Sequence, residues 1–262
     1  MAAGLAGQGG MQPGAGRGPE APPRLSIVVP AKNEAGSIAA QLVEIETVCA
    51  PLFPLEVVYV VDGSTDDTMA ELARAGEGRP WLRIARHAES CGKSAAILTG
   101  VRLARAPIVS TLDGDGQNDP RYVAALVAAL EAGGPRTGLA VGQRLRRGDG
   151  RFKRLQSRVA NRIRRAVLAD DTRDTACGQK VFRREMFLAL PFFDALHRFL
   201  PALARRDGWE VVHVDVVDRP RFAGESHYGF FDRLGVGILD LFGVWWLLRR
   251  RRRVPRITDL LP

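Results

Sequence analysis

Lysine is nearly absent from this basic chain: four of its 38 lysines and arginines are lysine (Lys32, Lys93, Lys153 and Lys180), so arginine carries the net charge of +9. Cysteine is as sparse. Cys49, Cys91 and Cys177 cannot all pair, and their scattered spacing fits neither a disulfide framework nor a zinc site. A reducing, cytoplasmic setting is the expectation. Long hydrophobic runs are missing too. The longest, Gly235 to Leu248, has 14 residues and contains Asp240, short of the roughly 20 that span a bilayer. Residues 1–24 are rich in Gly, Ala and Pro, with no apolar segment behind a basic start, so they read as a disordered tail and not as a signal peptide.

What is there suffices for an enzyme core. A length of 262 residues with 46% hydrophobic and 26% charged content excludes a disordered chain and a stapled miniprotein. From Leu25 the chain alternates short apolar runs with amphipathic ones, the pattern of a mostly parallel sheet flanked by helices. Strands are predicted at 25–30, 55–61, 81–85 and 108–112, and helices at 35–48, after the 62–67 turn, at 92–104 and at 122–130. Ligands of such α/β folds sit beyond the carboxyl ends of the strands, where the polar turns fall.

Asp113 and Asp115, one residue apart at the end of an apolar strand with Gln117 two further on, can gather hard oxygen ligands around Mg²⁺ or Mn²⁺. A solvated acidic turn has the same composition. An EF-hand loop is excluded, because its sixth position would be Asn118 and its twelfth Ala124. Gly92-Lys-Ser94 is not a phosphate loop, since His87 stands where the first glycine belongs. A glycine at a helix start with Lys93 beside it remains, as an anion contact or as a solvated cap. Asp62 can accept from a base or ribose, or cap the next helix.

Pro30-Ala-Lys-Asn-Glu34, Asp62-Gly-Ser-Thr-Asp66, Gly92-Lys-Ser-Ala-Ala96, Asp113-Gly-Asp-Gly-Gln-Asn-Asp-Pro120 and Gly142-Gln-Arg144 stand in the order and spacing of glycosyltransferase family 2. More narrowly, the chain resembles the dolichol-phosphate mannosyltransferase and polyprenyl-phosphate sugar synthase branch, from about Leu25 to Leu248. The resemblance implies a GT-A, Rossmann-like nucleotide-sugar-binding fold and inverting transfer of a hexose from GDP-mannose or a UDP-sugar. It implies donor contacts by Pro30, Asn33, Glu34, Asp62, Lys93, Asp113 and Gln117, a metal on Asp113, Asp115 and Gln117, and catalytic roles for Asp115 and Arg144. The acceptor phosphate would meet Arg144, Lys153, Ser157 and Arg158, then Arg219, Arg221, Ser226 and Tyr228 of a late basic segment. One departure is Val61, where the family usually has a first acid before Asp62.

The acceptor follows from chemistry. A sugar hydroxyl needs a general base, whereas a lipid monophosphate is already ionised and needs cations. The later half is rich in arginine, and the Gln-x-x-Arg-Trp element of processive relatives is missing, because Gln179 is followed by Lys-Val-Phe-Arg183. Asp174 is a possible base or part of a charged loop. Polyprenyl phosphate is the expected acceptor, with a hydroxyl acceptor on a glycan or envelope precursor as the alternative. A nucleic-acid partner is not expected, since the aromatics lie in aliphatic stripes and the acidic turn repels phosphates unless a metal sits in it.

The domain reading is a tail at 1–24, a catalytic domain at 25–229 and an amphipathic, polybasic membrane-surface segment at 230–262. Residues 151–165 hold seven basic residues and no acid, with an apolar stripe of Phe152, Leu155, Val159, Ile163 and Ala166. A second stripe, Phe231, Leu234, Ile238, Leu241, Trp245 and Leu248, leads into five arginines, Arg249 to Arg253. Both suit the inner, anionic face of a membrane, reached directly or through a membrane protein partner, or else pack on the core.

Overall fold

A computed structural model describes residues 22–145, 167–168, 172, 174–175, 177–219 and 230–250, with backbone alone for 230–238. The first strand, β1 (Leu25–Ala31), and the second, β2 (Leu55–Asp62), are continuous runs rich in Val and Ile and are buried almost throughout. That is the composition of central strands covered on both faces. Alternate residues go to opposite sides. Ile27, Val29, Val57, Tyr59 and Val61 enter one core beneath α1 (Ile38–Val48) and α2 (Thr68–Ala75). Val28, Val58 and Val60 enter the other with Ala96, Ile97 and Val101 of α3 (Lys93–Leu103). Each fully buried Val, Leu or Ile contributes about 1.5–3 kcal/mol.

The remaining elements are β3 (Leu82–His87), β4 (Ile108–Thr111), α4 (Arg121–Ala132), β5 (Thr137–Arg144), β6 (Lys180–Arg183), α5 (Arg184–Ala189), α6 (Leu200–Arg206), β7 (Glu210–Val216) and α7 (Phe230–Arg249). The seven strands form one sheet in the order β3-β2-β1-β4-β6-β5-β7. β1 is parallel to β2 and β4, and β5 is parallel to β7. β6 alone runs against its neighbours, with Thr111 and Val141 both in register with Lys180.

Two consequences place the site. The chain winds from β1 outward through β2 to β3 and then returns to β4 on the other side of β1, so the gap beyond β1 and β4 is a topological switch point. The antiparallel β6 delivers its entry, Cys177 to Lys180, to the edge where the other strands end.

The mostly parallel sheet matches expectation, and the first four strands and helices lie within a few residues of their predicted places. β5, the short antiparallel β6 and β7 were not foreseen. For α7 the second of the two expected fates holds, packing on the core. Leu241 and Leu248, from the predicted stripe, lie against the core with Leu247, beside the buried Val244. The exposed apolar strip is another one, Leu239 (72% exposed), Phe242 (64%) and Trp246 (53%). Their 3- and 4-residue spacing sets them roughly opposite Val244. Among the described residues no helix is long and apolar enough to cross a membrane. The 152–166 stripe and the arginines at 251–253 lie outside the described residues.

Candidate active site

The turns after β1, β2 and β4 are built to meet. Asn33 takes a positive φ of 57°, its N–H donates to Ser64 Oγ (3.0 Å), and its Oδ1 accepts from Thr65 N–H (2.9 Å). The Glu34 N–H donates to Thr68 Oγ1 at 3.0 Å. Asn33 and the Glu34 backbone therefore tie the first turn to the second, while Pro30 stays half-buried in β1. Lys32 Nζ reaches Ser90 Oγ at 2.9 Å. Gly63 has φ +62°, and any Cβ there would strike the backbone at Ser90, which holds the second turn tightly against the loop before α3.

Asp62 caps neither its own turn nor α2; Asp66 instead accepts the Thr68 N–H. The Asp62 carboxylate is 4% exposed and accepts from Ser90 Oγ (2.9 Å), Cys91 N–H (2.8 Å) and Gly92 N–H (2.9 Å), with His87 Nδ1 2.7 Å away. Burial raises this carboxyl, but the donors around it outweigh burial and hold it below the usual range. The anion place in front of α3 is thus filled by the protein's own carboxylate. Lys93 does not wait there for a phosphate. Its Nζ donates to Asp113 Oδ1 at 2.6 Å.

The acidic turn after β4 is anchored from beneath. Gln41 of α1 accepts from Tyr59 Oη at 2.6 Å and donates to the Asp113 carbonyl at 2.8 Å, so the buried core of β2 positions the turn. Asp113 N–H donates to Asn118 Oδ1 (2.8 Å), and Gln117 N–H to Asp115 Oδ1 (3.1 Å). Burial raises the Asp113 carboxyl, while the ammonium of Lys93 more than compensates and keeps it ionised. The residues fit a divalent cation, because the donor set of Asp113, Asp115 and Gln117 is all oxygen and one carboxylate already holds an ammonium. Gly178 leaves the room: a side chain there would run into the Asp113 carboxylate.

Arg144 and Arg219 are placed otherwise than a phosphate grip requires. Arg144 donates through Nε and Nη2 to both oxygens of Asp174 and through Nη1 to Asp218 Oδ2 at 3.0 Å. Burial lowers this guanidinium, and the two carboxylates more than restore it. Arg219 lies between Glu44 Oε1 (2.6 Å) and Asp119 Oδ1, and its N–H donates to the Gln117 carbonyl at 3.0 Å. The segment after β7 is thereby strapped onto the acidic turn. Lys153, Ser157, Arg158, Arg221, Ser226 and Tyr228 lie outside the described residues.

Sequence reasoning missed several participants. Asp218, adjoining Arg219, is raised by burial and by the Asp113 charge despite the guanidinium of Arg144. Lys180, 3% exposed, donates to the Cys177 and Thr175 carbonyls, and burial lowers its pKa. His197 Nδ1 lies 2.8 Å from Ser94 Oγ, and burial together with Lys93 and Lys180 pushes it down to about 2, so it is neutral. A further group, Asp62, His87 and Cys91, brings ligand-type atoms within 4.8 Å of one another. The pairings span up to 103 residues of sequence, and no local spacing signals them.

Comparison with known proteins agrees with this arrangement. The family model described as Glycosyl transferase family 2 matches residues 26–190. A dodecaprenyl-phosphate galacturonate synthase of Rhizobium johnstonii is 33% identical over 87% of this chain and 68% of its own length. An undecaprenyl-phosphate 4-deoxy-4-formamido-L-arabinose transferase of Aeromonas hydrophila is 29% identical over 78% of this chain, which spans 63% of that relative. The fold is shared with glucosyl-3-phosphoglycerate synthase from Mycobacterium tuberculosis, crystallised with Mn²⁺, UDP and glucosyl-3-phosphoglycerate, at a TM-score of 0.62 and 23% identity over 86% of this chain and 79% of that one. With the switch-point site, the acidic turn and the family model in agreement, the chain belongs to glycosyltransferase family 2 and is a glycosyltransferase.

Proposed function

We propose that this enzyme moves a hexose from a nucleoside diphosphate sugar to a polyprenyl phosphate with inversion at the anomeric carbon. A phosphate oxygen of the acceptor forms the new bond to that carbon as the bond to the nucleoside diphosphate breaks, and the nucleoside diphosphate leaves. The names of the two relatives supply the acceptor class. The observation in this chain that carries the reading is Asp174. It was the candidate base for a hydroxyl acceptor, and both its oxygens are held by Arg144, which makes a carboxylate a poor proton acceptor.

The switch-point turns, with Pro30, Asn33, Glu34 and Asp62, form the nucleoside end of the donor site. Asp62 acts there mainly by fixing the 90–92 backbone. Mg²⁺ or Mn²⁺ on Asp113, Asp115 and Gln117 would neutralise the departing diphosphate. Lys93 and Asp113 form a pair that exchanges partners as the donor arrives, and the ammonium turns toward the diphosphate oxygens. Lys153, Ser157, Arg158, Arg221, Ser226 and Tyr228 take the acceptor phosphate, while Arg144 and Arg219 hold the carboxylates that frame it.

A hydroxyl acceptor has one observation in its favour, the raised carboxyl of Asp218. Asp218→Asn decides: transfer to polyprenyl phosphate should survive within about ten-fold, and a loss above 1,000-fold with donor affinity intact favours Asp218 as base.

At 230–262 we propose contact with the inner, anionic face of a membrane, direct or aided by a membrane protein. Leu239, Phe242 and Trp246 supply an apolar strip, and the Arg249 and Arg250 guanidinium groups lie 3.9 and 4.6 Å from the Trp245 and Trp246 rings, at the headgroup end of it.

A further inference from the structure

Asp62, His87 and Cys91 come from the ends of β2 and β3 and from the loop before α3. A carboxylate oxygen, a ring nitrogen and a thiol sulfur of these residues lie within 4.8 Å of one another. His87 presents Nδ1 to Asp62 Oδ1 at 2.7 Å, and its Nε2 lies 2.9 Å from Thr99 Oγ1. That second contact fixes the ring, as outer-shell partners fix metal-bound imidazoles. Asp62 is buried and Cys91 exposed, so the cluster opens to solvent through the thiol.

We infer that this triad is a second cation site, specific for a borderline-soft ion such as Zn²⁺ and separate from the all-oxygen set on the acidic turn. Imidazole, thiolate and carboxylate suit zinc, whereas carboxylate and amide oxygens suit Mg²⁺ and Mn²⁺. Zn–N and Zn–O bonds of about 2.0–2.1 Å and a Zn–S bond of about 2.3 Å put tetrahedral ligand atoms about 3.3–3.6 Å apart. His87 and Asp62 therefore part by about 0.6 Å while the Cys91 side chain swings in. The ion takes the place of the proton on His87 Nδ1, which passes to Nε2 and is donated from there to Thr99 Oγ1, and the Cys91 thiol releases its proton to solvent on binding. Asp62 keeps its bonds from the Cys91 and Gly92 N–H groups, and water completes the fourth position.

Cys49 and Cys177 are buried, so iodoacetamide alkylation of the folded chain reads Cys91. With excess Mg²⁺ and no nucleotide, one equivalent of Zn²⁺ on a chain without a purification tag should slow that alkylation at least ten-fold. Co²⁺ in its place should give thiolate-to-metal absorption. His87→Gln, checked for a native melt, should lose the protection while alkylation without zinc is unchanged, and Cys91→Ser should lose the bound equivalent. Undiminished protection in His87→Gln, a retained equivalent in Cys91→Ser, or no slowing in the unaltered chain would each overturn the site. No nucleotide enters the experiment, so its failure is separate from failure of the donor assignment.

Discussion

Glu56 stands near the amino end of β2, away from the strand ends that form the candidate site, and its surroundings show how this fold treats a buried charge. Its carboxylate is 1% exposed and accepts from Ser26 Oγ (2.7 Å), Arg105 Nε (2.8 Å) and Arg83 Nη1 (3.1 Å). Burial raises it and the donors overcome burial, so its folded pKa lies below the ordinary 4.5. A depressed acid stabilises the fold above its unfolded pKa, and that stability is lost as pH falls through the folded value. Resistance to urea should therefore fall below about pH 4.5. Glu56→Gln should cost about 2–3 kcal/mol at neutral pH, less than a fully buried pair because both arginines are partly exposed, and should flatten that acid limb. Asp115 is the contrasting case. It is buried in its turn and accepts the Gln117 N–H through Oδ1, a bond that the amide oxygen of Asn keeps, so Asp115→Asn should leave the melt within a few degrees while turnover falls by more than ten-fold, at least about 1.4 kcal/mol of barrier. EDTA should mimic it.

Elements differ in how far the sequence reveals them. β1, β2 and β4 with their helices were legible, because each is an apolar run of parallel-strand type ending in a polar turn. β6 is four residues, Lys180–Arg183, with a charge at each end, and its place between β4 and β5 is set by pairing with partners 69 to 75 residues away in β4 and 39 to 43 residues away in β5. The acidic turn, Asn33 and Asp62 could be picked out in the sequence as candidate site residues, but not the partners that hold them. Arg144 was read as an acceptor-phosphate contact, and the carboxylates it holds, Asp174 and Asp218, are 30 and 74 residues away in sequence. Periodicity found α7 but not which side faces inward, since both sides are apolar and Val244 decides it by burial. The outer strip leads to a prediction at this scale. In liposome flotation the chain should float with anionic vesicles at low salt and sink at high salt. Each basic residue near the surface contributes about 1 kcal/mol. Replacing Phe242 and Trp246 with Ser should lower flotation without changing the melt, because Val244 and Leu241 hold the inner side. Equal flotation on neutral and anionic vesicles would contradict the electrostatic part.

At the scale of the whole molecule, one sheet serves two partners. In the proposed arrangement the strand ends at the β1/β4 switch point take the donor, and β5, β6 and β7 bring a second set of charged groups to the same edge. A nucleoside diphosphate with Mn²⁺ at 100 times its dissociation constant should raise stability by about 2.7 kcal/mol, and Asp113→Asn should abolish the increment. The acceptor is the central claim, and product analysis tests it most directly. The full chain, supplied with a radiolabelled nucleotide sugar and polyprenyl phosphate, should yield label that enters the organic phase and returns to water after mild acid, as a sugar linked through phosphate does. Label that stays in water on a glycan, or an organic product that resists mild acid, would contradict the phosphate acceptor and point to a hydroxyl.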